Sequence, residues 1–352
     1  MHMPSNGRIC VTYVQNFITI GLKKQSDRGY WVSKLFYYQS ICYYFLYCIR
    51  FVSIHFYAAT NPAIRYGGMF DDRKSDIYKL LPSQWIPKTR LITHQEDSVE
   101  NNIADIDFPL IIKPDIGFKG FLVAKLDNDE QLTEYKQLYG SKDFLLQEYV
   151  DFQREFSILI YRYPKHGQVG VSSFIEKTYP EILGDGLKTI EQLINEKQNP
   201  FLKKEWIKDK LQDRLTDVLE KGESLRIDTI GNYSRGSKFH SLNESIDEEL
   251  TEWAKKLFDQ IDGIDFCRLD LKADSIEEMK KGMFTILELN GVKSEPLHIY
   301  DPKYSVSTII KDVHQHWAIL TKIVKERIQL SYKMPPLLDG VRSWWIAKNL
   351  VK

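Results

Sequence analysis

The stretch from Phe266 to Asn290 constrains this chain most. It reads Phe-Cys-Arg-Leu-Asp-Leu-Lys-Ala-Asp, then a polar connection, then Met-Phe-Thr-Ile-Leu-Glu-Leu-Asn. Two short apolar runs around a charged link predict a pair of strands. Side chains on a strand alternate faces. Arg268 and Asp270 therefore share a face, as do Glu288 and Asn290, while Leu269, Leu271, Leu287 and Leu289 point toward a core. Pairing of the two strands as a hairpin would put Asp270, Glu288 and Asn290 on one surface. Three oxygen-bearing side chains suit a hard divalent cation such as Mg²⁺, which keeps places for water and phosphate oxygens. No Cys or His stands in the group, which argues against zinc. The competing reading is a solvated hairpin face with ordinary carboxylates. The strict alternation and the clean apolar face favour the metal site.

A chain of 352 residues is long enough for two or three lobes. Its 48 basic and 48 acidic residues balance, so charge over the whole chain does not mark a nucleic-acid binder. The balance is uneven along the chain: residues 1–70 carry Arg8, Lys23, Lys24, Arg28, Lys34, Arg50 and Arg65 against Asp27 alone. Cys10, Cys42, Cys48 and Cys267 stand at no metal or disulfide spacing. A reducing, cytoplasmic setting is expected, and the N-terminus lacks the order of a secretory signal.

Residues 30–57 are crowded with aromatic side chains, Trp31, Tyr38, Tyr43, Tyr44, Phe45 and Tyr47 among them. The apolar run Ile41–Ile49 ends at Arg50, well short of the roughly 20 residues a membrane span needs. An aromatic, basic and acid-poor segment fits a membrane surface. A helix packed on the protein's own core or on a dimer partner accounts for the same residues and is the favoured reading.

Further on, Lys74 opens a short helical pattern over Ser75–Leu81. The segment Phe108-Pro-Leu-Ile-Ile-Lys-Pro-Asp-Ile-Gly-Phe-Lys-Gly-Phe-Leu-Val reads as strand, loop, strand. Lys113 ends the first strand, and Gly117 and Gly120 allow a tight loop whose amides can approach an anion. A Lys beside a Gly-bearing loop suits phosphate; an ordinary hairpin turn is the alternative, and no Walker A motif is present. A helix is expected over Glu130–Tyr139. Phe144 to Ile160 reads as strand, bend, strand, with main chain exposed at Gln147–Val150 for an adenine edge and Glu155 placed for ribose hydroxyls. Thr189 and Gln192 match a capping box, and so do Ser245 and Glu248. Lys197–Gly222 reads as a charged helical excursion on the surface. Asn232, Arg235 and Lys238 form a polar loop able to meet an anion, or simply a solvated loop. Ile309, Val313, Trp317, Leu320, Val324 and Ile328 mark a C-terminal amphipathic helix. His314 and His316 are read as surface residues of that helix. Trp344 and Trp345, in the last twenty residues, fit no motif.

The order of these parts over residues 72–325 resembles the ATP-grasp superfamily. Within it, the likeness is to carboxylate–amine ligases of the D-alanine–D-alanine ligase and cyanophycin synthetase kind. The residues that carry it are Lys74, Pro-Leu-Ile-Ile-Lys113-Pro with its Gly loop, Gln-Glu-Tyr-Val at 147–150, Gly-Asp-Gly at 184–186, Asn232-Tyr-Ser-Arg-Gly-Ser, Arg268-Leu-Asp270 and Glu288-Leu-Asn290. The resemblance implies an α+β fold in which two lobes with antiparallel sheets grip ATP. An aromatic helical segment at 1–70 would precede a small lobe at 71–150 and a large lobe at 151–330, and a tail at 331–352 would follow.

By position, Lys74 and Lys113 would hold the α/β phosphates, and the loop with Gly117 and Gly120 would close over the γ-phosphate. Gln147, Glu148 and Val150 would contact adenine, and Glu155 the ribose. Asp270, Glu288 and Asn290 would hold two Mg²⁺ ions, for which Mn²⁺ is an acceptable substitute. Arg268, with Asn232 and Arg235, would steady an acyl phosphate. Residues 1–70 lack the βαβ rhythm of the domain that usually precedes these lobes, so analogy does not name the substrate.

The reaction implied is amide formation between a small-molecule carboxylate and an amine, with release of ADP and phosphate. Phosphoryl transfer to a hydroxyl and a non-catalytic nucleotide sensor are the alternatives. The basic N-terminus and the 232–238 loop hint at an anionic acceptor such as a cell-envelope precursor. The remaining expectations are peripheral membrane contact through 30–57 at the inner membrane surface, a homodimer, and no nucleic acid.

Overall fold

The computed structural model describes residues 28–70, 72–94, 106–117, 122–140, 142–197, 204–227, 231 and 236–336. It divides into two compact units. Within the described residues, one holds 40–177, 240–298 and 311–336, and the other 28–39, 178–239 and 299–310. All the described candidate site residues lie in the first.

The described chain opens with helix α1 (Arg28–Phe51), and α2 (Lys74–Tyr78) follows. Four short strands come next: β1 (Thr89–Ile92), β2 (Leu110–Pro114), β3 (Ala124–Leu126) and β4 (Phe144–Glu148). They form an antiparallel sheet in the order β1-β4-β2-β3. Helix α3 (Asp129–Tyr139) is capped by Asn128, whose side chain accepts from Gln131 N at 3.0 Å. Leu132 and Tyr135 of this helix pack on Leu110, Ile112 and Leu146.

The second sheet has the order β11-β10-β5-β6-β9. Its strands are β5 (Arg154–Tyr163), β6 (Gln168–Thr178), β9 (Lys238–Ser241), β10 (Phe266–Ala273) and β11 (Thr285–Asn290). Between β6 and β9 the chain forms the bulk of the other unit. There β7 (Glu181–Leu183) pairs with β8 (Ser224–Arg226) around α4 (Ile190–Glu196) and α5 (Lys204–Lys210). Ile182, Ile190, Ile194, Ile207, Leu219 and Ile227 give this excursion a core of its own. The Thr189–Gln192 capping box forms as expected. Lys197–Gly222 is less helical than expected; within its described part only α5 and a short 3₁₀ turn are helical.

Helix α6 (Glu248–Phe258) lays Leu250, Trp253, Ala254, Leu257 and Phe258 on the second sheet. That is the i, i+3, i+4, i+7 stripe of a half-buried helix. Its N-cap is Asp247, which accepts from Leu250 N at 2.7 Å, and the expected Ser245 cap does not form. Asp247 places the cap two residues closer to the apolar stripe, and Lys280, on the short helix α7 (Ile276–Lys280), braces it at 2.6 Å.

The last described helix, α8 (Val306–Gln329), buries Ile309, Val313, Trp317, Leu320 and Val324 of the expected apolar series and leaves Ile328 exposed. His316 is a correction. It is buried, with its ring edge-on to Phe266 at 5.2 Å, and burial pushes its pKa down to about 3. Only His314, which pairs with the Tyr43 hydroxyl at 2.7 Å, lies on the exposed side. At the start of β10, buried Asn61 accepts from Asp265 N and Phe266 N and donates to the carbonyls of Gly67 and Phe266. All the hydrogen-bonding capacity of a buried amide is thus spent on fixing where the site strand begins.

Candidate active site

Strands β10 and β11 pair antiparallel, with Asp270 opposite Glu288 and Arg268 opposite Asn290. The hairpin juxtaposition read from the sequence is present. The strict alternation is not, because the register shifts after Asp270 and Leu271 faces Ile286. Leu287 is left as the extra residue of a bulge, and Ile286 takes the core position that alternation would give to Leu287. At the bulge the Leu287 carbonyl accepts from Tyr78 Oη of α2 at 2.5 Å, and Lys113 Nζ of β2 lies 3.3 Å away. Bulges of this kind re-aim groups beside sites.

Lys113 is buried near the end of β2. Its ammonium donates to Tyr78 Oη at 2.7 Å and to Gln147 Oε1 at 2.9 Å. Gln147 in turn donates to Thr89 Oγ1 at 2.7 Å. Gln147 lies in the ladder, opposite Thr89 on one side and Ile111 on the other, so its main chain is not the exposed edge expected. Glu148 accepts from Lys88 N at 2.9 Å through its side chain. Past it the chain leaves the sheet, and Val150 O accepts from Lys272 Nζ at 2.9 Å.

Lys74 stands at the start of α2 and donates to Gly117 O at 2.8 Å. Its turn is anchored by Asp115, fully buried, which accepts from Ser75 N, Ser75 Oγ and Arg73 Nε. Burial lowers the Lys74 pKa, and Lys113 and Lys293 add to that, while the Glu288 and Asp115 carboxylates oppose it. Lys74, Lys293, Glu288 and Asn290 line one cleft, with Gly68 and Gly291 in its wall.

Lys177 was not singled out in the sequence. It sits near the end of β6, where no local motif marks it, and its role follows from strand register. Its Nζ lies 2.9 Å from Glu155 Oε1 and 3.1 Å from Asp270 Oδ2, with all three side chains buried. Ser157 Oγ donates to Asp270 Oδ1 at 2.6 Å, and Arg268 Nε approaches the same oxygen at 3.3 Å. Burial alone would raise the Asp270 pKa. The Arg268 and Lys177 charges and the Ser157 hydroxyl outweigh it and bring the carboxyl to about 2. Lys177 and Arg268 shift upward because the same carboxylates outweigh their own desolvation. Asp270, Lys177 and Arg268 are therefore held in their charged forms.

Hard oxygens on paired strands match the donor chemistry of Mg²⁺. Asn290 brings an amide oxygen to this set, and its buried Nδ2 has no hydrogen-bond partner among the described residues. Both oxygens of Asp270 already accept from Ser157, Arg268 or Lys177, so a cation there would replace a cationic side chain. Among the described residues no group of three or more His, Cys, Asp or Glu is placed to hold a metal, and the third donor of this set is an amide. Gly117 is described and touches Lys74; Gly120, Asn232 and Arg235 lie outside the described residues.

No family model and no curated protein matches the chain. Solved structures do. D-alanine–D-alanine ligase from Bacillus anthracis is 13% identical over 73% of this chain and 67% of its own, with a TM-score of 0.40. The VanG D-Ala:D-Ser ligase from Enterococcus faecalis is 14% identical over 72% of this chain and 62% of its own, at 0.41. An N5-carboxyaminoimidazole ribonucleotide synthetase, solved as its ADP complex, is 16% identical over 71% of this chain and 51% of its own, at 0.42.

Proposed function

We propose that the chain is an ATP-dependent carbon–nitrogen ligase of the ATP-grasp kind. It would join a carboxylate to an amine through an acyl phosphate and release ADP and phosphate. One observation carries this reading. Lys113 on the first sheet is tied to the bulge of β11, directly before Glu288, so phosphate-type cations and metal-type oxygens meet at one place.

In this reading Lys74 and Lys113 hold the nucleotide phosphates. Gln147 acts on Lys113, fixing its ammonium. The main chain past Glu148, at Tyr149 and Val150, meets the adenine edge. Glu155 takes the ribose hydroxyls, and Lys177, released from it, turns to the transferred phosphoryl group. Asp270, Glu288 and Asn290 would hold Mg²⁺, which when bound neutralises phosphate charge. A substrate carboxylate oxygen attacks the γ-phosphorus and the β–γ bridging bond breaks, leaving acyl phosphate and ADP. The amine nitrogen then attacks the acyl carbon, the carbon–oxygen bond to phosphate breaks, and the amine loses a proton. Arg268 faces the oxygens on which charge gathers, the group where fixed cations contribute most.

The test is ADP release with Mg-ATP against panels of carboxylates and amines, singly and paired, with hydroxylamine in parallel. Carboxylate-dependent ADP with a trapped hydroxamate supports the ligase. ADP that depends on a hydroxyl acceptor, without hydroxamate, would replace it with a kinase. Nucleotide binding with no turnover on any pair would favour the sensor.

A further inference from the structure

Helix α1 packs one face against the described residues and carries large apolar side chains of high exposure on the other. On the packed face, Tyr43 and Tyr47 stack on Trp317 of α8 with ring centres 5.9 and 6.1 Å apart, and Ser40 Oγ accepts from Trp317 Nε1 at 3.1 Å. Phe36 and Val32 are buried on the same side. On the other face, Trp31 is 56% exposed, Tyr38 64%, Phe45 62% and Ile49 79%, and Val52 just past the helix end is 92% exposed. These positions recur at about seven residues, with Cys42 and Leu46 exposed between them. The stripe is continuous along the helix and far more apolar than a solvated face needs to be.

Three kinds of occupant could cover it. It cannot cross a bilayer, because no described helix is long and apolar enough. A second copy of the chain is disfavoured by charge: the helix carries Arg28, Lys34 and Arg50 and no carboxylate, so two copies would bring cations against cations. An anionic surface meets the same cations favourably. Trp and Tyr along an apolar stripe, with Lys and Arg at its margins, is the composition of a helix lying in the headgroup layer.

We propose that the outer face of α1 docks this protein on an anionic lipid surface. The rings and branched chains of Trp31, Tyr38, Phe45 and Ile49 enter the headgroup boundary while Lys34 and Arg50 meet lipid phosphates. This inference is independent of the ligase reading, since it uses none of the candidate active-site residues.

Flotation of the full chain with vesicles tests it. Equimolar phosphatidylglycerol and phosphatidylcholine vesicles at low ionic strength should carry the protein up the gradient, and pure phosphatidylcholine should not. Phe45→Gln with Ile49→Gln changes only exposed positions; it should keep the circular dichroism spectrum and lower the bound fraction about tenfold. Lys34→Glu with Arg50→Glu should lower it too, and added salt should mimic that change. Absence of flotation with the anionic vesicles, or flotation unaltered in the Gln variant, would overturn the proposal. So would a stable dimer of the wild type that the Gln variant converts to monomer without any lipid binding.

Discussion

Lys177 and Asp270 form a buried ion pair, Nζ to Oδ2 3.1 Å, and the same ammonium holds Glu155 at 2.9 Å. One cation therefore joins a proposed metal ligand to a proposed ribose ligand. Lys177→Met would leave two carboxylates facing each other without it. Breaking a buried pair by removing one partner costs about 3–5 kcal/mol. We expect a loss of about 3 kcal/mol in urea unfolding. A loss under about 0.5 kcal/mol, the size of an ordinary surface change, would mean the pair is not formed.

Lys113→Ala, Asp270→Asn and Glu288→Gln remove the groups on which the proposed chemistry depends. Each should lower acceptor-dependent ADP release at least about 100-fold, the scale at which single charge-stabilising groups act. Chelation should abolish turnover in the wild type, and Mg²⁺ should restore it. Near wild-type rates in any folded variant would defeat the site assignment.

His316 sets a pH dependence. Its pKa falls from 6.5 to about 3 because burial disfavours the charged ring, with His298 adding a smaller push. A histidine depressed in the folded state gives its full stability above the unfolded pKa. That stability is lost as pH falls from 6.5 through about 3. The slope should approach about 1.4 kcal/mol per pH unit for one proton. His316→Phe should flatten that part of the stability profile; an unchanged slope would place the effect elsewhere.

Gly291 follows Asn290 and packs against the turn at Gly67 and Gly68. A Cβ there would meet the Gly67 carbonyl at clashing distance and lie 2.8 Å from Gly68 Cα. Gly68 itself has φ +82°, the left-handed region that glycine tolerates. Gly291→Ala should cost about 2 kcal/mol through backbone displacement and weaken nucleotide binding with it. For the stability loss, Gly117→Ala, whose Cβ would only touch Pro114 at ordinary contact distance, is the control. Equal stability losses in the two variants would count against the close approach.

Much of this protein was decided locally and could be read from the chain. The apolar residues flanking Asp270 and Glu288 fixed two strands, the periodicity from Leu250 to Phe258 fixed a helix, and Thr189 with Gln192 fixed a cap, because each signal lies within a few residues. The order of the motifs also carried the α+β reading. What tertiary structure decided was register and partnership. Leu287 is a core residue by alternation and a bulge in fact, since Tyr78 and Lys113, more than 170 positions away, claim its carbonyl. His316 looks like surface on its own helix and is buried because Phe266 packs on it. Lys177 has no local mark at all. Its position between Glu155 and Asp270 exists only because β5 pairs with β6 on one side and β10 on the other, and pairing across a sheet is not written in any one strand.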